Sequence, residues 1–163
     1  RGGLASVTRP RFDIGMTHPS SPHPDRGFRP RGLGEIAIRC ADMGAMMAFY
    51  RDVIGLGVMA GTVDSPIVFF RIAEGVAGHT TVLALFRRDS DAPPLTGTRS
   101  SLHHIALSLP YAEQEAAIAW YDSIGQPYRI EHFGWVGWRG VFTQDPEGNT
   151  IELVAHHPDL LEG

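Results

Sequence analysis

Two stretches of this chain repeat one unit about 70 residues apart, and that repetition limits the fold more than any other feature. Leu33-Gly34-Glu35-Ile36-Ala37-Ile38 aligns with Leu102-His103-His104-Ile105-Ala106-Leu107 at an offset of 69, and Ala48-Phe49-Tyr50 with Ala119-Trp120-Tyr121 at 71. Gly55 then matches Gly125, and Gly78 matches Gly148, both at 70. A duplicated supersecondary unit buries its apolar face against its own copy, so both halves belong to one fold. At 163 residues the chain has room for a single sizeable core.

Each copy opens with a strand of alternating character. Ile36, Ile38 and Cys40 oppose Glu35, Ala37 and Arg39; Ile105, Leu107 and Leu109 oppose His104, Ala106 and Ser108. A helix follows each strand. Asp42 is suited to cap the first, whose apolar surface comes from Met46, Met47, Phe49, Tyr50, Val53 and Ile54 before Gly55. The second is predicted over roughly Glu113 to Ser123, ending before Gly125 and Pro127. Strand-like runs come next: Ile67–Ile72 and Thr80–Phe86, then Tyr128–Phe133, Gly140–Thr143 and Thr150–Ala155, with Asp145-Pro146-Glu147-Gly148-Asn149 as a turn. The expected organisation is an Arg- and Pro-rich arm over 1–32, then one domain over 33–160. Within it lie module one (33–88), a linker (89–100) and module two (101–157). The arm has no periodic apolar face and reads as extended or disordered, with His18 and His23 as solvent-exposed bystanders.

Composition excludes several chemistries. Cys40 is the single cysteine, which rules out an intramolecular disulfide and a cysteine metal cluster; on the apolar parity of its strand it reads as a small core side chain. The absence of Lys rules out Schiff-base and P-loop lysine mechanisms. The arm carries six Arg against Asp13 and Asp25, but the remainder carries eight Arg against sixteen acids. A basic arm on an acidic body, without interleaved aromatics, is not a nucleic-acid footprint. No apolar run approaches the length of a membrane span and no charged-then-apolar leader precedes the fold, so a cytoplasmic protein is expected.

If helices cover the Ile and Leu side of the sheets, Glu35 and His104 lie on the open side. The last strand alternates likewise, with Ile151, Leu153 and Ala155 on one face and Thr150, Glu152 and Val154 on the other. Two carboxylates and an imidazole on one face need a partner, and a divalent cation satisfies all three. Oxygen and nitrogen donors without thiolate suit Mn, Fe, Co, Ni or Zn. Three protein ligands leave open positions for substrate and water.

Three motifs carry a resemblance: Phe49-Tyr50-Arg51-Asp52-Val53-Ile54-Gly55-Leu56, His103-His104-Ile105-Ala106-Leu107, and Asp145-Pro146-Glu147-Gly148-Asn149-Thr150-Ile151-Glu152-Leu153. Together they span about 33–157 and resemble the vicinal oxygen chelate superfamily, which includes glyoxalase I, bleomycin and fosfomycin resistance proteins, methylmalonyl-CoA epimerase and extradiol dioxygenases. The resemblance implies an α+β fold of two tandem βαβββ modules, forming a curved mixed sheet around a cleft. It puts Glu35 and His104 at the first-strand ligand positions and Glu152 at the last-strand position of module two. Two departures follow. The fourth ligand position falls on Val82 at an offset of 70, or on Ala84 with a two-residue slip, and neither binds metal. Glu35 stands where His or Gln is frequent.

The function this implies is a metal-dependent lyase or isomerase, or a ring-cleaving dioxygenase, using one divalent ion on a small substrate with vicinal oxygens. A homodimer is implied too, since modules pair within or between chains. The rival readings are a metal-free drug- or metabolite-binding protein of the bleomycin-resistance kind and a thiol transferase of the fosfomycin-resistance kind. Arg39, Tyr128, Trp135, Trp138 and Arg139 are candidates for substrate contact. His103 is expected at the helix side or the sheet edge, His132 has no predicted facing, and no residue is singled out as general base.

Overall fold

The alternation of the first repeat becomes a strand, β1 (Glu35–Cys40), whose Ile36 and Ile38 pack on the core while Glu35, Ala37 and Arg39 stay exposed. A computed structural model describes residues 31–88, 93, 100 and 102–161. The arm up to residue 30, with His18 and His23, and most of the linker lie outside the described residues. After β1 come α1 (Met43–Ala48), β2 (Gly57–Ala60), β3 (Ile67–Glu74) and β4 (Thr80–Arg87). The second copy supplies β5 (Ile105–Ser108), α2 (Gln114–Ile124), β6 (Arg129–Phe133), β7 (Trp138–Gln144) and β8 (Thr150–His156).

Each module forms one four-stranded mixed sheet, in the orders β1-β4-β3-β2 and β5-β8-β7-β6. In both, the first strand lies parallel to the last and the remaining pairs are antiparallel. The duplicated sequence thus folds as a duplicated topology: two tandem modules, each a strand, a helix and three strands. No helix among the described residues is long and apolar enough to cross a membrane.

The predicted caps form. Asp42 Oδ1 accepts from Ala45 N at 2.9 Å to start α1, and Gly125 closes α2 at φ 69°, a left-handed position suited to glycine. The first helix departs from the sequence reading in its second half. Ile54 N donates to Phe49 O at 3.1 Å, so Phe49–Val53 is a π-helical turn rather than a continuation of α1. The wider turn buries Phe49 and Tyr50 together. Strand β2 was absent from the expected elements because all four of its residues are exposed, leaving no alternation to read. Strand β7 begins at Trp138, two residues before the expected Gly140.

Met43, Met46, Phe49 and Tyr50 pack on Phe70, Leu83 and Leu85 of the first sheet and also on Ile105 and Ile151 of the second, giving the modules a shared core. In module two the equivalent layer joins Tyr121 to Val141 and Leu153. The buried Gln114 amide donates to the carbonyls of Arg139 (2.8 Å) and Leu153 (3.0 Å), fastening α2 to β7 and β8. Cys40 is wholly buried in the shared core, and burial, reinforced by Glu147, pushes its thiol up to about 11. At pH 8 roughly one thiol in a thousand is then ionised. Native protein should therefore resist a thiol-reactive disulfide reagent that labels Cys40 at once in urea; rapid native labelling would contradict this packing.

The turn before β8 ties the modules together. The Asp145 carboxylate, 4% exposed, accepts from Glu147 N (3.0 Å), Asn149 N (2.9 Å), Asn149 Nδ2 (2.8 Å) and, across the module boundary, Tyr50 Oη (2.9 Å). Burial and the adjacent Asp145 hold the Tyr50 phenol protonated, well above its ordinary pKa. Glu147 Oε1 accepts from Ala41 N at 2.6 Å and Asp42 N at 2.8 Å, just ahead of α1. Two carboxylates of one turn thus anchor the start and the π turn of the first module's helix, and they fix where β8 begins.

Candidate functional site

On the side of the second sheet away from α2, the register sets Ala106, Glu152, Phe142 and Arg129 in one row across β5, β8, β7 and β6. His104 immediately precedes β5 on the same parity as Ala106. Its Nε2 lies 3.1 Å from Glu152 Oε2. The imidazole is one-third exposed, whereas Glu152 is buried at 5%. Burial raises the Glu152 pKa, with His104 and Arg129 pulling it back down. The pair is thus a carboxylate held mostly out of water, with one imidazole at its open end.

The neighbours shape this pair. A Cβ on Gly140 would stand 2.3 Å from Glu152 Oε1 and 2.6 Å from Phe142 Cε2, so the glycine leaves the notch the carboxylate occupies. The Phe142 ring is edge-on to His104 at 6.0 Å, and Arg129 Cζ sits 4.1 Å above it while the guanidinium also pairs with Glu131. His103 Nδ1 lies 2.7 Å from His104 Nδ1. Gly140→Ala should displace the ends of two side chains rather than the backbone. The expected result is a folded protein destabilised by about 1–3 kcal/mol with the Glu152 carboxylate moved, checked by urea unfolding; an unchanged midpoint would show that the notch is slack.

Glu35 is in the other sheet. It is exposed on the open face of β1 and shares that face with Arg39. Register also decides between the two fourth-ligand positions. Ala37 pairs with Ala84 in the first sheet as Ala106 pairs with Glu152 in the second, so Ala84 is the counterpart of Glu152 and Val82 that of Thr150. The chain therefore brings His104 and Glu152 together and leaves Glu35 apart. Among the described residues no three His, Cys, Asp or Glu side chains gather as a metal cluster.

The candidate substrate residues divide. Trp138, 46% exposed, lies on the open face opposite Phe133, and Trp135, 54% exposed, is in the turn 134–137. Arg139 is not in the cleft. It is buried on the α2 side with Nη1 2.5 Å from Glu115 Oε1 and its guanidinium 5.8 Å from the Tyr111 ring centre, because Val141 sets the odd-numbered side of β7 under the helix and the strand starts early enough to include Arg139 in that alternation. His132, opposite Arg139, is on that side too. Tyr128 packs 5.9 Å from Tyr121 and lines an open cavity of about 490 Å³ with Arg129, Phe142 and Thr150. Arg129, Phe142, Gly140 and the His103 contact were missed from sequence. The first three are recognisable only once β6, β7 and β8 are in register, since their own segments carry no distinguishing alternation.

A model of the Glyoxalase/Bleomycin resistance protein/Dioxygenase superfamily matches residues 32–153. The structure of a lactoylglutathione lyase from Agrobacterium tumefaciens is similar at 23% identity and a TM-score of 0.57, over 77% of this chain and 93% of that one. A genomically encoded fosfomycin resistance protein, FosX, from Listeria monocytogenes is similar at 20% identity and a TM-score of 0.59, over 81% and 97%. A glyoxalase/dioxygenase from Nostoc punctiforme matches at 23% identity and a TM-score of 0.60, over 78% and 92%. At these identities the likeness is one of fold. No curated protein matches the chain.

Proposed function

The chain belongs to the Glyoxalase/Bleomycin resistance protein/Dioxygenase superfamily, and from that premise we propose that it is a divalent-metal-dependent enzyme acting on a small substrate with vicinal oxygens, by a lyase, isomerase or ring-cleaving reaction. The observation that carries the reading is the 3.1 Å approach of His104 Nε2 to the buried Glu152 carboxylate on an open sheet face. A carboxylate buried at an energetic cost, with a nitrogen donor beside it, is a donor pair suited to a divalent ion. Glu152 and His104 would hold the ion from module two, and Glu35 would join from a second copy of the chain, which makes the active form a homodimer. A divalent ion there supplies Lewis-acid stabilisation of negative charge on the substrate oxygens. The chain's own part is to hold the donors: Gly140 makes room for Glu152, and Phe142 excludes water behind the imidazole. Arg129 adds positive charge beside the carboxylate, and the exposed Trp138 offers a surface for an apolar substrate body.

A second reading, a metal-free binding cleft, draws on a specific observation too: Ala84 stands at the fourth ligand position and Glu35 is apart from the pair within one chain. The two separate by metal content. Protein purified without metal-affinity steps is expected to carry a stoichiometric transition metal by plasma mass spectrometry, lost in His104→Ala and in Glu152→Ala. Wild type that holds no metal after reconstitution would sink the enzyme reading and leave the binding cleft.

A further inference from the structure

We infer that His103 is a positioning residue: when a cation occupies Nε2 of His104 in place of the Glu152 contact, His103 accepts the hydrogen that His104 must then hold on Nδ1. The inference rests on the metal reading of the His104–Glu152 pair and adds a residue to it. Because β5 begins at Ile105, residues 103 and 104 escape the strict in-and-out alternation of a strand. Two neighbouring histidines can then turn the same edge towards each other. Their Nδ1 atoms approach to 2.7 Å, with ring centres 5.0 Å apart and planes at 73°. At that separation one of the two nitrogens carries hydrogen and the other accepts it, since two bare lone pairs would repel.

His104 is consequently held at both ends of its ring, by Glu152 at Nε2 and by His103 at Nδ1. An imidazole that binds a cation through Nε2 must hold its proton on Nδ1 and needs an acceptor there. His103 supplies that acceptor. It is exposed, so its own Nε2 can carry its proton and share it with water. The adjacency that looks like redundancy in sequence is a donor and its orienter.

The test titrates Zn²⁺ calorimetrically into metal-free wild type, His103→Phe and His103→Asn. Nitrogen-15 histidine spectra of the Zn²⁺-saturated proteins report which ring nitrogen is protonated. Phenylalanine keeps the ring and loses the acceptor; asparagine places an amide oxygen near the same position. The expected result is Zn²⁺ binding weakened roughly tenfold to a hundredfold in His103→Phe, substantial recovery in His103→Asn, and a His104 spectrum altered only by phenylalanine. Equal affinity in wild type and His103→Phe would overturn the inference while leaving the metal site standing. Absence of Zn²⁺ binding in all three proteins would overturn both.

Discussion

Asp145→Ala is expected to destabilise the protein by about 3–5 kcal/mol, because it strands several hydrogen-bond donors at once in a buried turn. Two backbone amides, the Asn149 side chain and the Tyr50 hydroxyl all converge on that carboxylate. Against a typical domain stability of about 5–15 kcal/mol the loss is a large share of the total. Urea unfolding measures it as a fall in midpoint at constant slope. Tyr50→Phe provides the control. It removes one donor and leaves Asp145 with three, so it should cost about 1 kcal/mol. If Asp145→Ala proved as mild as Tyr50→Phe, the turn would not be the tie between modules described above.

The second large effect concerns Glu152→Gln, which should act in opposite directions on metal and on the metal-free fold. Removing a charged ligand is expected to weaken divalent-metal binding by roughly a hundredfold or more. In the metal-free protein the native Glu152 pKa is raised, chiefly by burial. The native state therefore holds this proton more tightly than the unfolded chain. Its stabilising contribution is present at pH below the ordinary Glu value and is lost as pH rises through the raised one. Metal-free wild type should lose stability across that window, whereas the glutamine variant should not. Saturating metal should reverse the trend, since it binds the deprotonated form. Unfolding curves with and without metal, taken at several pH values, check both halves. Parallel pH profiles for the two metal-free proteins would contradict the cause assigned to Glu152.

What the sequence disclosed follows from which signals are local. Alternation in β1, β5 and β8 put Ile36, Ile105 and Ile151 on the core side, with Ala106 and Glu35 opposite, and the structure has them there. Asp42 and Gly125 marked helix ends through chemistry that acts within a few residues. β2 was invisible because an edge strand exposed on both faces has no period. Ala84 as the counterpart of Glu152 was undecidable from offsets alone, which drift from 69 to 68 between the first and last strands of the repeat. Only hydrogen-bonded register settles the two-residue choice between Val82 and Ala84. The same holds for the site. His104 and Glu152 were legible as a shared face, but Gly140, Phe142 and Arg129 become neighbours of Glu152 only through strand pairing, and the His103 contact depends on where β5 starts. The Asp145–Asn149 turn was plain in sequence as a turn, while its grip on Tyr50, 95 residues away, was not.

If His104 and Glu152 of one chain form part of a metal site that Glu35 of another completes, a hybrid dimer will reveal it. Glu35→Ala and Glu152→Gln chains, co-expressed under two different tags that contain no histidine, are purified as the hybrid and as the two parent proteins. In the hybrid one site inherits both defects and the other none. About one metal ion per hybrid dimer is expected, and none in either parent. A hybrid as empty as its parents would contradict a site shared between chains, and metal retained by the Glu35→Ala parent would remove Glu35 from the site.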